Sequence, residues 1–144
     1  MKDKREFQLK AKVFWEGGLK TQSIIRGFEV ETDEPKSHFG TNTAPAPVEI
    51  FISSIGACLL STYAWSIMKA RVSIQDCTVD IKAHTDENDK TEKVTKALIT
   101  LTVWGDKKDK KKLEQCFDIS KKICTLTNSV SFPMEIIINF KEEK

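Results

Sequence analysis

The chain has 144 residues, 40% of them apolar and 31% charged, which suits one folded domain over residues 1–144 and excludes a fully disordered protein. Its 23 basic and 21 acidic residues give a net charge of +2, too balanced for a dedicated nucleic-acid-binding protein. The N-terminal sequence MKDKREFQ is charged where a secretory signal needs an apolar stretch. We therefore expect a cytoplasmic protein without nucleic-acid or membrane partners.

The first part of the chain predicts two strand regions and a loop. Apolar and polar residues alternate from Phe7 to Trp15, which is the period of a strand with one buried face. Gly17-Gly18 predicts a turn, and a second strand region is expected from about Thr21 to Thr32. The segment from Asp33 to Pro47 contains three prolines, counting Pro47 itself, and this indicates a loop.

The remainder predicts two helices and three strands. Pro47 suits the first turn of a helix that extends to about Ala70. Its charge-free stretch, residues 50–68, is long enough to cross a membrane, but its serines and threonine favour a buried central helix. We expect strands near residues 72–84 and 94–104, a helix near 108–124, and a last strand with Met134, Ile136, Ile138 and Phe140 on one face.

The predicted elements follow the order β-β-α-β-β-α-β. The acidic segment 86–89 indicates an exposed hairpin connection between the third and fourth strands. Hairpin-linked strands with only two helices predict an α+β fold with antiparallel sheets rather than a doubly wound parallel sheet.

Four cysteines are spread along the chain without a C-x-x-C pair, a spacing that fits neither a zinc site nor a disulfide scaffold. For Cys77, on a predicted strand, and Cys116, on a predicted helix, we expect the structural role of a small apolar side chain. Cys58 follows Gly56-Ala57, two small residues that let another group approach closely. Cys124 ends the second predicted helix beside hydroxyl and amide side chains. Cys58 and Cys124 are therefore the candidates for thiol chemistry.

The segments around these two cysteines resemble the OsmC/Ohr family of osmotically inducible and organic hydroperoxide resistance proteins. The sequence APAPVEIFISSIGAC, residues 44–58, is similar to the family pattern sPxELlLaalgsC, and CTLTNSV, residues 124–130, is similar to CPVSNAL. FWEGG at 14–18 and TDEP at 32–35 resemble the family's N-terminal hairpin. The resemblance covers nearly the whole chain in the same order and indicates a divergent OsmC-like branch.

The resemblance implies a thiol peroxidase that reduces organic hydroperoxides to alcohols, built as an intertwined homodimer with active sites at the interface. In that family the first cysteine attacks the peroxide, which assigns this role to Cys58. Cys124 would resolve the product to a disulfide, and an external dithiol, such as a lipoylated protein, would restore both thiols. Glu49 would be the family's active-site glutamate. The resemblance implies no metal or bound cofactor.

Physical chemistry adds two expectations about these residues. Cys124 lies near a helix C-terminus, where the dipole disfavours an anion, so it is expected to be the poorer attacker. Glu49 precedes Cys58 by nine residues, about 13.5 Å along a straight helix and half a turn out of phase. Glu49 therefore serves the thiol only from the other subunit or through a kink at Gly56; otherwise it favours the first turn of its helix.

The chain departs from the family at two positions. Family peroxidases stabilise the thiolate with an arginine, which one branch places directly after the Gly-Gly turn, where this chain has Leu19-Lys20. Arg26, in the second strand region, is the best candidate for that role, and Lys20 offers charge without the planar guanidinium. Thr125 replaces the proline that usually follows the second cysteine.

The sequence leaves two main hypotheses about function open. One is the peroxidase, for which Ile50, Phe51, Ile55 and Leu59 either line an apolar mouth for organic peroxides or form ordinary core. The other is a non-catalytic OsmC-like protein that binds an apolar or electrophilic small molecule at the dimer interface. The absence of a well-placed arginine favours the binding protein, and the presence of both cysteines favours the enzyme. Inert cysteines would leave only a structural or interaction protein.

Overall fold

The computed structural model describes residues 8–143. Residues 1–7, including Phe7 of the first predicted strand, and Lys144 lie outside the described part. The chain divides into two compact units, one ending at Ile50 and the other beginning at Phe51.

The first unit contains a three-stranded antiparallel sheet in chain order. Its strands are β1 (Lys12–Trp15), β2 (Thr21–Ile25) and β3 (Phe28–Thr32). Trp15 lies opposite Thr21 at the turn between β1 and β2. Gly17 and Gly18 form that turn with φ of 92° and 56°, values that glycine adopts without steric cost.

The single strand region predicted from Thr21 to Thr32 is wrong, because β2 and β3 form a hairpin there. Arg26 and Gly27 are its two turn residues, with φ of 52° and 86°. Two positive φ angles are typical of the tight turns whose twist matches that of antiparallel strands. The sequence lacks the Asn-Gly or Asp-Gly pair that usually marks such a turn. Arg26 therefore lies in a turn and not within a strand.

One buried carboxylate organises the loop after β3. Asp33 has no exposed surface. Its oxygens accept hydrogen bonds from the hydroxyl and N–H of Thr41, at 2.5 and 3.2 Å, and from those of Thr43, at 2.8 and 3.0 Å. The N–H of Glu34 donates a further bond at 2.8 Å. These donors, above all the Thr41 hydroxyl, hold the pKa of Asp33 far below its ordinary value.

The second unit contains a mixed sheet covered by two helices. Helix α1 (Pro47–Ala70) begins in the first unit and continues into the second. The sheet has the order β4 (Ile74–Thr85), β5 (Val94–Gly105), β6 (Met134–Lys141), and helix α2 (Lys110–Ile123) connects β5 to β6.

The predicted α+β class with two main helices is confirmed, and two details differ. The hairpin at Arg26 adds a strand, which gives the order β-β-β-α-β-β-α-β. The prediction of antiparallel sheets is wrong for the pair β5 and β6, which is parallel, with Ala97 opposite Met134. Helix α2 returns the chain to the end of the sheet at which β5 begins, so β6 can run in the same direction as β5.

The core lies where both helices meet the central strand β5. Ile55, Leu59, Tyr63 and Ile67 project from α1 at intervals of four residues and are buried. The first two pack with Ile99 in the middle of β5, and the last two pack with Leu101 and Val103 nearer its end. Helix α1 therefore follows the direction of β5.

Helix α2 packs beside α1 in the same core and runs against the direction of β5. Leu113, in its first turns, is buried with Val103, whereas Cys124, just after its end, is buried with Ile99. Two contacts join the helices, a bond from the Tyr63 hydroxyl to the Leu113 carbonyl at 3.3 Å and a 3.2 Å contact between the hydroxyls of Ser66 and Ser120. Within residues 8–143, α1 is the one helix long and apolar enough to cross a membrane by length and composition.

We predict that Asp33→Asn lowers the thermal stability of the protein by several degrees at neutral pH, because the amide cannot accept all of these hydrogen bonds. The folded-state pKa of Asp33 lies below its ordinary value of 3.8, so its contribution to stability is present above that value and is lost as the pH falls. The difference in melting temperature between wild type and variant should therefore become smaller below about pH 4. Thermal unfolding followed by circular dichroism at several pH values measures both melting temperatures.

Asp80→Asn is the matched control, because Asp80 is an exposed residue of β4. Equal melting temperatures for Asp33→Asn and Asp80→Asn at neutral pH would contradict the role given to the buried carboxylate.

Candidate active site

The second unit brings the sulfurs of Cys58 and Cys124 within 3.5 Å of each other, although 66 residues separate them in the chain. Both are free thiols; Cys58 is partly exposed and Cys124 has no exposed surface. The sulfurs are at hydrogen-bonding distance, and a disulfide would require them to approach to about 2.05 Å. The pair can therefore share a proton and needs a small movement to form a bond.

Helix α1 positions Cys58 at the margin of its buried stripe. The neighbouring residues Ile55 and Leu59 are fully buried, and Cys58 itself packs against their cluster. Gly56 faces β4, where an added Cβ would lie 3.3 Å from Cγ1 of Val79. This glycine therefore lets α1 lie close to the sheet just before the cysteine.

Cys124 lies where the chain leaves α2 and turns again at once. Its N–H still donates to the Ser120 carbonyl at 2.9 Å, but its ψ of 120° ends the helix. Residues 124–129 then form a single turn, which we call the Cys124 turn, with a bond from the Asn128 N–H to the Cys124 carbonyl at 3.3 Å. The Asn128 side chain donates to the carbonyls of Cys124 and Lys121, at 2.7 and 3.2 Å. Asn128 thus satisfies carbonyls that the helix end leaves without partners.

The Cys124 turn places hydrogen-bond donors beside the sulfur of Cys124. Burial alone raises the pKa of this thiol, but hydrogen bonds from the hydroxyl and N–H of Thr127, from Cys58 and from the N–H of Leu126 outweigh it. The pKa of Cys124 is therefore lowered. The end of α2 is expected to disfavour an anion at Cys124, and the hydrogen bonds of the Cys124 turn act on its pKa in the opposite direction. The role of Cys124 as the poorer attacker stays a prediction. The sequence indicated hydroxyl and amide groups beside this thiol but not the backbone donors.

The other two cysteines lie in the core away from this chemistry. Burial raises the pKa of Cys77 to about 12 and also raises the pKa of Cys116. Cys116 belongs to the core cluster of Tyr63 and Leu113, and Cys77 packs against it. Both thus occupy the structural positions expected of them. Within the described part of the chain, no three metal-ligating side chains cluster.

Of the apolar residues expected to contact an organic peroxide, only some are exposed in the second unit. Ile55 and Leu59 have no exposed surface and form core with Ile99. Phe51 keeps 40% of its surface exposed and packs edge-on against Phe132, with ring centroids 6.3 Å apart. Phe132, which the sequence analysis did not single out, is the aromatic partner on that surface.

Glu49 and Arg26 belong to the first unit. The Glu49 carboxylate accepts the N–H of Ala46 at 2.7 Å, so it reaches back over the first turn of α1 as in half of a capping box. The Arg26 guanidinium lies over the ring of Phe28, 5.4 Å from its centroid. A role for either residue at the thiols remains a prediction.

Comparison with known protein families shows which family contains this pair of cysteines. A family model described as OsmC-like protein matches residues 40–139, which include both paired cysteines. The chain belongs to the OsmC-like protein family. The resemblance seen in the sequence is thus confirmed, although no curated protein sequence matches the chain.

Solved structures share the OsmC-like fold at low sequence identity. An OsmC-like protein from Mycoplasma pneumoniae is 16% identical, with a TM-score of 0.76 over 97% of this chain and 100% of that one. The organic hydroperoxide resistance protein OsmC from Legionella pneumophila is 15% identical, with a TM-score of 0.73 over 94% and 99%. An organic hydroperoxide resistance protein from Elizabethkingia anophelis is 17% identical, with a TM-score of 0.74 over 96% and 99%. These TM-scores show a shared fold, and the low identities are consistent with a divergent branch.

We predict that Glu49→Ala lowers the free energy of unfolding by about 0.5–2 kcal/mol, because the Ala46 N–H loses its acceptor at the start of α1. Glu49→Gln should lose less, since its amide oxygen still accepts the bond. Denaturant unfolding at neutral pH measures both values.

The control for this effect is Glu114→Ala in α2, which removes only a surface ion pair with Lys110 at 3.9 Å. Equal losses in Glu49→Ala and Glu49→Gln would show that the acceptor oxygen is not what stabilises the helix start.

Proposed function

We propose that this OsmC-like protein is a thiol peroxidase that reduces organic hydroperoxides to alcohols. The 3.5 Å contact between the sulfurs of Cys58 and Cys124 carries the proposal, because a binding pocket has no need of paired thiols. Relatives of the same fold from Legionella pneumophila and Elizabethkingia anophelis carry the name organic hydroperoxide resistance protein, which supports the substrate class.

Exposure supports Cys58 as the attacking residue. Cys58 is partly exposed and Cys124 is fully buried, so a peroxide reaches the sulfur of Cys58 first. The Cys58 thiolate attacks the terminal oxygen of the hydroperoxide and the O–O bond breaks. Cys58 becomes a sulfenic acid, and the departing alkoxide takes a proton and leaves as the alcohol.

Cys124 is the resolving residue in this proposal. Its thiolate attacks the sulfur of the Cys58 sulfenic acid, the S–S bond forms, and hydroxide leaves and becomes water. The peroxide has then gained two electrons and the pair has lost two. An external dithiol, a lipoylated protein or a similar thiol, returns them by exchange.

Other parts of the proposal rest on the family resemblance alone. They are the intertwined homodimer, the cytoplasmic location, and a role at the thiolate for Glu49 and for Arg26 or Lys20. The exposed ring of Phe51, which packs against the partly buried ring of Phe132, favours organic peroxides over hydrogen peroxide.

We predict that one equivalent of cumene hydroperoxide converts the reduced protein to a form that has lost two hydrogens. Intact mass measurement detects the loss, and peptide mapping should place the new disulfide between Cys58 and Cys124. Cys58→Ser should abolish this disulfide and the loss of two hydrogens. Cys77→Ser is the matched control and should still form the disulfide, because Cys77 packs in the other core cluster.

Hydrogen peroxide, used in parallel, should oxidise the pair more slowly than cumene hydroperoxide does. Thiols that remain unchanged with both peroxides would overturn the peroxidase proposal and favour the small-molecule-binding hypothesis.

A further inference from the structure

The core of the second unit holds the two paired thiols at a fixed spacing. Their sulfurs lie 3.5 Å apart, with the S–H of Cys124 donating to the sulfur of Cys58. Leu59 in α1 and Ile99 in β5 have no exposed surface and form one cluster with Cys124, against which Cys58 packs. A ligand that bonds to both sulfurs therefore does not have to bring them together, which lowers the cost of binding it.

We propose that this pair is a binding site for trivalent arsenicals, in which one arsenic atom bonds to both sulfurs and keeps one apolar organic group. The inference goes beyond the proposed peroxidase, because binding involves no peroxide and no transfer of electrons. It applies equally to a protein without peroxidase activity.

The separation of the sulfurs selects the geometry of the atom that bonds to both. With bonds of about 2.3 Å, the length of a zinc–thiolate bond, two sulfurs 3.5 Å apart form an angle of about 100° at that atom. Trivalent arsenic carries a lone pair, so its three bonds form a pyramid with angles below the tetrahedral value, as here. A linear two-coordinate ion with bonds of the same length would hold the sulfurs about 4.6 Å apart.

The number of available ligands separates arsenic from zinc. Thiolates are soft ligands that bind both elements, but a structural zinc ion takes four protein ligands and a catalytic one takes three. Within residues 8–143, no group of three histidine, cysteine, aspartate or glutamate side chains is placed to hold a metal ion. An organic arsenical needs only two sulfurs, since its third bond is to its own carbon. The pair therefore has enough ligands for the arsenical and too few for zinc.

The surface near Cys58 is apolar, which favours an organic group on the arsenic. Cys58 is partly exposed and Cys124 is fully buried, so an arsenical meets Cys58 first. Phe51 precedes Cys58 by seven residues, about two turns of α1, and therefore lies on the same face of the helix. Its exposed ring packs edge-on against Phe132, which belongs to the same apolar surroundings as Cys58. A phenyl group on the arsenic can pack against these rings.

The bonding step is a substitution that needs no oxidant or reductant. Phenylarsine oxide in water carries two hydroxyl groups on arsenic. The thiol of Cys58 displaces one hydroxyl and the thiol of Cys124 displaces the other, so two As–S bonds form and two As–O bonds break. The thiol protons leave with the hydroxyl groups as two water molecules, and arsenic stays trivalent. Because the second bond forms within the first complex, it strengthens binding far beyond that of one thiol.

Phenylarsine oxide is the probe for the fully reduced protein. At equimolar protein and probe, intact mass measurement should show one phenylarsenic group in place of two hydrogens. An excess of glutathione, which is a monothiol, should leave this adduct in place. The dithiol 2,3-dimercaptopropanol should remove it, because it offers the arsenic two sulfurs of its own.

Cys58→Ser and Cys124→Ser each leave one sulfur at the site. Their dissociation constants for phenylarsine oxide should rise by about a hundredfold or more, because the second bond is lost. Cys77→Ser is the matched control and should bind like wild type, since Cys77 packs in the other core cluster. Circular dichroism checks that each variant is folded, and if one serine variant fails to fold the other still tests the pair.

Arsenite, which has a hydroxyl group where the probe has phenyl, tests the apolar surface separately. Phe132→Ala should weaken the binding of phenylarsine oxide several-fold and leave the binding of arsenite unchanged, because only the phenyl group packs against the ring. Equal effects on both compounds would overturn the preference for an organic group.

The outcomes also separate this inference from the proposed function. Wild-type protein that binds phenylarsine oxide no more tightly than Cys58→Ser and Cys124→Ser do would overturn the site. Zinc that binds the pair as tightly as the arsenical does would overturn its selectivity. Thiols that bind the arsenical but do not react with cumene hydroperoxide would support the site and contradict the peroxidase.

Discussion

The packing of α1 and α2 onto β5 determines the distance between the two paired thiols. Ile55 and Leu59 from α1 are buried with Ile99, and Cys124 at the end of α2 is buried in the same cluster. Each fully buried aliphatic side chain contributes about 1.5–3 kcal/mol to the free energy of folding. Several such side chains together contribute more than a single contact between two thiols. The 3.5 Å sulfur separation is therefore a result of hydrophobic packing rather than its cause.

The directions of the two helices explain why these two cysteines meet. Helix α1 runs along β5 and α2 runs against it, so residues early in α1 face the end of α2. Cys58 lies in the first half of α1 and Cys124 just after α2. The parallel strand β6 belongs to the same arrangement, because α2 must return the chain to the start of β5 before β6 can begin.

The sequence predicted what depends on periodicity and missed what depends on strand partners and backbone groups. Helix α2 and the strands of the second unit follow from apolar spacing, and α1 follows from its charge-free stretch after Pro47. The parallel pairing of β6 is not a local pattern, and the turn at Arg26 lacked a typical signature. The pairing of Cys58 with Cys124 followed from the family resemblance, since spacing alone cannot join residues 66 positions apart. The N–H groups around Cys124 appear only when the chain direction is known.

In the proposed peroxidase cycle, the complete burial of Cys124 also determines which sulfur the reductant attacks. In a disulfide between the two cysteines, an incoming dithiol reaches the sulfur of Cys58 and forms its mixed disulfide there. Cys124 is then the leaving group, and a thiol with a lowered pKa leaves faster. The hydrogen bonds that hold its anion would therefore speed the recovery of the reduced protein, and a bulky reductant would need no access to the core.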